Sequence, residues 1–294
     1  MPSVESYIIN QVLPYLANTH TTTSLTGSQS TAFVQEARQI VAEAVNARVS
    51  GKAATDVVIF AGDGATSAVD ALISLLPRGG GGTGGGGAGG VVIVGPMQHH
   101  SNYVTWRESG LLVVDCPTVG GGGSDVDVPA LERLLDEHGG GEGPRYTAWT
   151  AASNVTGYAP PMSEVYRACK RRGYRVFVDY ASSAPYLKVD VNERGGEVDA
   201  AFVSCHKLLG GVGSSGVLVV KKDLVPQAEP PGMKRGGGTV FYVTRDSHRF
   251  LSNRVERNEG GSPNVLARVR AGMGFLVKRA VGVERIGAVD AERR

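Results

Sequence analysis

Residues Asp199 to Val220 read DAAFVSCHKLLGGVGSSGVLVV, and this stretch decides the fold. An apolar run, Ala200 to Val203, leads into Ser204-Cys205-His206-Lys207. Glycines follow at 210, 211, 213 and 216, and a second apolar run covers Val217 to Val220. Short apolar runs bounded by glycine predict buried strands. Lys207 therefore falls at a strand end, in a turn with no need of an ammonium group for solubility. The ordinary state of such a lysine is full solvation. When partly desolvated among glycines and apolar residues, it can instead attack an aldehyde and form a Schiff base. The other strand ends decide between the two.

The same pattern of run and break recurs at Val57–Phe60, Val91–Val94, Leu111–Val114, Arg145–Thr150 and Arg175–Val178. With the runs at Asp199 and Gly216 this predicts seven strands. Helical periodicity separates many of them. Phe33, Ala37, Ile40, Val41, Ala44 and Val45 share a face within Ser30–Val49, and further helices are expected after Ser67, around Leu131–Leu135, over Met162–Arg172 and over Asn264–Val281. Such alternation indicates a three-layer α/β/α sandwich around a mostly parallel seven-stranded sheet, with ligands outside the strand C-termini. The low-complexity tract Gly79–Gly90 reads as a flexible loop insert, and Gly120–Gly123 and Gly139–Gly141 as shorter ones.

Composition sets the bounds. A chain of 294 residues with 41% hydrophobic and 20% charged residues describes a globular protein, and its net charge of +2 gives no argument for nucleic acid or a membrane surface. Cys116, Cys169 and Cys205 are an odd, scattered set, which predicts neither a disulfide framework nor a zinc site. The first residues lack a basic n-region, and no apolar run reaches membrane-spanning length. The expected setting is a reduced compartment, the cytoplasm first and the mitochondrion second.

Three further strand ends carry notable residues. After Phe60, GDGATS opens a helix, and unpaired amides at a helix N-terminus bind phosphate. Plain helix capping is the other reading. A dinucleotide fingerprint would need glycine where Ser67 stands, with an acidic residue inside the Gly79–Gly90 tract, and a Walker loop would need Gly-Lys-Ser/Thr. After Val94 comes Gln98-His99-His100-Ser101-Asn102. Adjacent histidines share no face for a metal, so an imidazole stacked on a ring competes with an ordinary loop histidine. After Val178 comes Asp179, which either caps the next turn or holds the protonated nitrogen of a pyridine ring. Phosphate cradle, stacking imidazole, pyridinium partner and Schiff-base lysine together describe a pyridoxal 5′-phosphate site.

At this point the sequence resembles the class V aminotransferase group of fold-type I pyridoxal phosphate enzymes, which includes cysteine desulfurases and selenocysteine lyases. The resemblance runs from about Asn18 to Gly282. Ser204-x-His206-Lys207 is similar to the family's Ser-x-His-Lys, which implies Lys207 as the Schiff-base lysine, with Ser204 and His206 on the cofactor phosphate. Gly64-Ala65-Thr66 resembles the phosphate turn, His99 the stacking histidine, and Asn154 in Ser153-Asn154-Val155-x-Gly157 the asparagine beside cofactor and substrate. Asp179 matches the aspartate of Asp-x-Ala-Gln, with Ser182 where that motif has glutamine. Glu259-Gly260-Gly261-Ser262-Pro263-Asn264 is similar to a stretch whose hydroxyl reaches the phosphate of the partner subunit. From the residues alone, Ser262 is an N-cap with Pro263 at the first helical position.

The resemblance implies a homodimer with shared sites, catalysis by Lys207, His99 and Asp179, and an amino acid as substrate, through transamination or cleavage of a Cβ–S or Cβ–Se bond. It divides the chain into an N-terminal arm (1–29), a cofactor-binding large domain (30–235) and a dimer-contacting segment that starts a C-terminal helical region (236–294). It also implies that the family's first strand and most of its small C-terminal domain are missing from this stretch. The competing expectation is a truncated or non-catalytic homologue that keeps fold and dimer surface, and a nicotinamide enzyme comes third.

Overall fold

The computed structural model describes residues 1–19, 21, 23–77, 90–141, 143–227 and 230–293. The expected Gly79–Gly90 insert lies, except for Gly90, outside them. In chain order the elements are α1 (Pro2–Tyr7), α2 (Leu25–Ala44), β1 (Asp56–Phe60), α3 (Ala65–Leu75), β2 (Val91–Val94), α4 (Val104–Arg107), β3 (Leu112–Asp115), α5 (Val128–Glu137), β4 (Arg145–Thr150), α6 (Met162–Arg171), β5 (Arg175–Asp179), β6 (Ala200–Val203) and β7 (Val217–Lys221). A hairpin, β8 (Val240–Val243) and β9 (His248–Phe250), then precedes α7 (Val265–Val281) and α8 (Val283–Glu292). All seven expected strands form, joined in one sheet of order β1-β7-β6-β5-β4-β2-β3. β7 pairs antiparallel with both β1 and β6, and the other pairings are parallel. Six strands therefore end at one edge of the sheet, and β7 begins there.

Period-two alternation sorts the strand side chains into two cores, the signature of a sheet covered on both faces. Val58, Phe60, Ile93, Val176, Val178, Ala201, Val203 and Val219 face α2, α5, α6 and α7 through Val41, Leu131, Leu135, Val165 and Phe275. Ile59, Val92, Val94, Ala148, Phe177, Phe202 and Leu218 face α3 and α4 through Ala68, Val69, Leu72 and Trp106.

β1 is an edge strand, and its outward backbone groups are covered by a buried charge cluster. Glu259 accepts from the Phe60 N–H at 2.8 Å, while Arg38 donates to the Val58 carbonyl at 2.7 Å and to both Glu259 oxygens at 2.8 and 2.9 Å. Arg268 completes the cluster 2.7 Å from Glu259. Both guanidinium groups also lie over the Phe60 ring. Exposed sheet edges invite pairing with other chains, and this clamp blocks that on β1.

Several boundaries differ from the sequence expectation. Instead of Ser30, α2 begins at Leu25, because the Ser24 hydroxyl accepts from the Gly27 N–H at 3.1 Å. It ends at Ala44, followed by Asn46 at a positive φ of 56°. The N-cap of α7 is Asn264, accepting from the Ala267 N–H at 3.0 Å, so the capping role expected of Ser262 belongs to a residue two positions later. β6 stops at Val203, and a 3₁₀ turn covers Cys205–Lys207. Cys205, within that turn, is fully buried. No helix among the described residues is long and apolar enough to cross a membrane.

Candidate active site

The loops leaving β1, β2, β4, β5 and β6 meet at the shared sheet edge around a cavity of about 230 Å³. Nine of the ten residues singled out from the sequence line it: Ala65, Thr66, His99, Asn154, Asp179, Ser182, Ser204, His206 and Lys207. Ser262 does not. It lines a separate cavity of about 590 Å³ between the β1–α3 turn, Gly213–Ser215 and the start of α7.

At the base lies Asp179, only 3% exposed. Its Oδ1 accepts from the Ala181 N–H at 2.8 Å, and Oδ2 makes no hydrogen bond among the described residues. Burial raises its carboxyl above the usual carboxylate range, against the pull of the Ala181 amide, Lys207 and His99. A half-satisfied buried carboxylate calls for a donor.

The wall opposite is the start of α3. Its N-cap, Gly64, has no side chain to bind the first helical amides, and Ser204, just after β6, takes over, accepting from the Ala65 N–H at 2.9 Å. Gly64 has φ +81°, and a Cβ there would stand 2.7 Å from His206 Cε1 and 3.0 Å from Ser204 Oγ, so the close approach of the two turns requires glycine. His206 is held below the usual imidazole range by burial and by Lys207, with Asp63 pulling it back up.

Lys207 is exposed. The 3₁₀ turn sets it on the cavity wall while Cys205 and Leu208 take the buried positions. Ser182 donates its hydroxyl to the Ala152 carbonyl. His99 and His100 are tilted 52° to each other with centroids 5.9 Å apart, and only His99 lines the cavity.

Ser101, Thr150, Ala181 and Asp63 also line the cavity, and sequence reasoning did not select them. Thr66 Oγ1 donates to Ser101 Oγ at 2.8 Å, and Ser101 Oγ lies 3.1 Å from His99 Nδ1. The signal for Ser101 was its place two residues after His99, where a side-chain nitrogen can cap a short turn. None of the three thiols lines the cavity, and burial pushes Cys116, Cys169 and Cys205 each up to about 12.

The sequence profile of the aminotransferase class-V family matches residues 2–292. The chain belongs to this family. Among its relatives, a probable cysteine desulfurase of Aeropyrum pernix is 31% identical over 208 residues, covering 66% of this chain and 46% of that protein. Another, from Halalkalibacterium halodurans, is 26% identical over 276 residues, covering 92% and 62%. The chain thus spans about half to two thirds of the length of these relatives. A cysteine desulfurase structure from Thermococcus onnurineus superimposes with a TM-score of 0.75 at 24% identity, covering 98% of this chain and 65% of that one, which shows the shared fold. A class V chain thus explains why the loops of five strands converge where they do.

Proposed function

We propose that this chain is the cofactor-binding part of a pyridoxal 5′-phosphate enzyme that cleaves the Cβ–S bond of cysteine. The observation that carries the reading is the half-satisfied, buried Asp179 in one cavity with Lys207, His99 and the α3 N-terminus. Two features support a fit to the cofactor. The Gly64 cradle brings Ser204, His206 and the first amides of α3 together, a site suited to a phosphate. The open Oδ2 of Asp179 suits a protonated pyridine nitrogen.

Bound there, the cofactor supplies an electron sink for bonds breaking at the substrate. The chain's own residues do the rest. Lys207 would hold the cofactor through its amine, and its Nζ would carry protons at the substrate. Asp179 would hold the pyridine proton. His99 would flank the ring, and Thr66, Ser204 and His206 would hold the phosphate. Asn154 stands on the substrate side. Ser182 orders the 152–154 segment through the Ala152 carbonyl. Ser262, exposed on its separate cavity, would serve a second copy of the chain in a homodimer with shared sites.

A cofactor-binding homologue without turnover is the second reading. The observation in its favour is that all three cysteines are buried and held protonated, so none of them is a ready acceptor for sulfur. Incubating the cofactor-loaded chain with cysteine and dithiothreitol separates the outcomes. Sulfide and alanine in equal amounts support Cβ–S cleavage. A keto acid without sulfide means amino-group transfer. Bound cofactor with neither product establishes the second reading.

A further inference from the structure

We infer that Ser101 is a positioning residue that fixes the tautomer and the orientation of the His99 ring. The Ser101 N–H donates to His99 Nδ1 at 3.2 Å, and Ser101 Oγ lies 3.1 Å from the same nitrogen. A backbone N–H can only donate, so Nδ1 presents its lone pair and the neutral ring carries its proton on Nε2. The direction of the hydroxyl follows from its other partner. Thr66 Oγ1 donates to Ser101 Oγ at 2.8 Å, which leaves the Ser101 proton for Nδ1. From Thr66 through Ser101 to His99, every proton points one way.

The turn that carries these groups is itself pinned. Asn102, fully buried, donates to Gln98 Oε1 at 2.6 Å and to the Trp149 carbonyl at 3.3 Å, and it accepts from Trp106 Nε1 at 3.0 Å. Thr105 Oγ1 donates to the Ser101 carbonyl at 2.6 Å, and the Asn102 N–H to the His99 carbonyl at 2.8 Å. With the backbone held, the remaining freedom of His99 is rotation of its side chain, and Ser101 removes it. A ligand in the cavity therefore meets a His99 ring of fixed tautomer and plane. That consequence rests on the reading of the cavity as a cofactor site; the tautomer itself does not.

The test uses the full chain without cofactor, labelled at the histidine nitrogens, in long-range proton–nitrogen correlation spectra at alkaline pH. His99→Gln identifies the signal among the six histidines. His99 Nδ1 is expected to read as an unprotonated, hydrogen-bonded nitrogen. In Ser101→Ala it moves toward the position of an unbonded nitrogen, Ser101→Thr returns it, and Thr66→Val moves it less than Ser101→Ala. The other imidazole signals, unmoved, show that the variants remain folded. An Nδ1–H signal in the wild type, or a Ser101→Ala signal superimposable on it, overturns the inference. Failure of the cofactor to attach to Lys207 would leave these spectra unchanged, so the two readings fail separately.

Discussion

Two buried carboxylates divide this molecule between them. Glu259 lies under β1 with two arginines and a backbone amide around it, while Asp179 ends β5 with a single amide. Burial alone would raise both. At Glu259 the Arg38 and Arg268 charges and the Phe60 N–H overrule it and hold the group below the usual carboxylate range; at Asp179 burial wins. Asp56 follows Glu259, held down by Lys221, the Arg48 amide and Asn192. Among the described residues, the fold surrounds Glu259 and Asp56 with donors and leaves Asp179 half-satisfied where the loops converge. On the proposed function, that contrast separates structural charge from functional charge.

Removing each charge in turn should give opposite results. Asp179→Asn should lower cysteine turnover by about 10²-fold or more, the usual range for losing a group that controls a catalytic proton, while its urea midpoint at neutral pH stays level or rises. Loss of stability alongside activity would break the contrast. Glu259→Gln should cost about 3–5 kcal/mol in urea unfolding, because it leaves two largely buried guanidinium groups without their counter-charge. A variant as stable as the wild type would show that the clamp on β1 is dispensable.

The pH dependence sharpens the same comparison. A depressed carboxyl such as Glu259 contributes stability above its unfolded value and loses it as pH falls through its folded value. An elevated one such as Asp179 does the reverse: its ionisation costs stability as pH rises from its ordinary value to its folded one. Urea midpoints measured across the acid range should therefore fall less steeply toward low pH in Glu259→Gln than in the wild type. The advantage of Asp179→Asn should disappear at low pH. The smallest effects belong at α7, where Asn264→Ala should cost about 1 kcal/mol as a lost cap and Ser262→Ala within about 0.5 kcal/mol. Equal costs would return the cap to Ser262.

The strands were legible because strands covered on both faces are continuous apolar runs, although the edge strand β3 is only part-buried, and nine candidate residues line one cavity because each stands at or just after the end of such a run. The hairpin β8–β9 was not, since Phe241, Tyr242 and Val243 are exposed and belong to neither core. Nor could sequence spacing reveal the clamp, which joins Arg38 to a partner 221 residues away. Ser262 misled through local chemistry: a hydroxyl before proline is a good helix start, but the asparagine after the proline makes the bond. Lys207 misled through its neighbours, whose burial depends on the turn and not on the strand pattern.

Borohydride reduction of the chain mixed with pyridoxal phosphate, followed by peptide mapping, tests the central claim most directly. The account predicts a visible absorption band that reduces to a single adduct on Lys207 and is absent in Lys207→Ala. No band, or label spread evenly over surface lysines with Lys207 unfavoured, would contradict it.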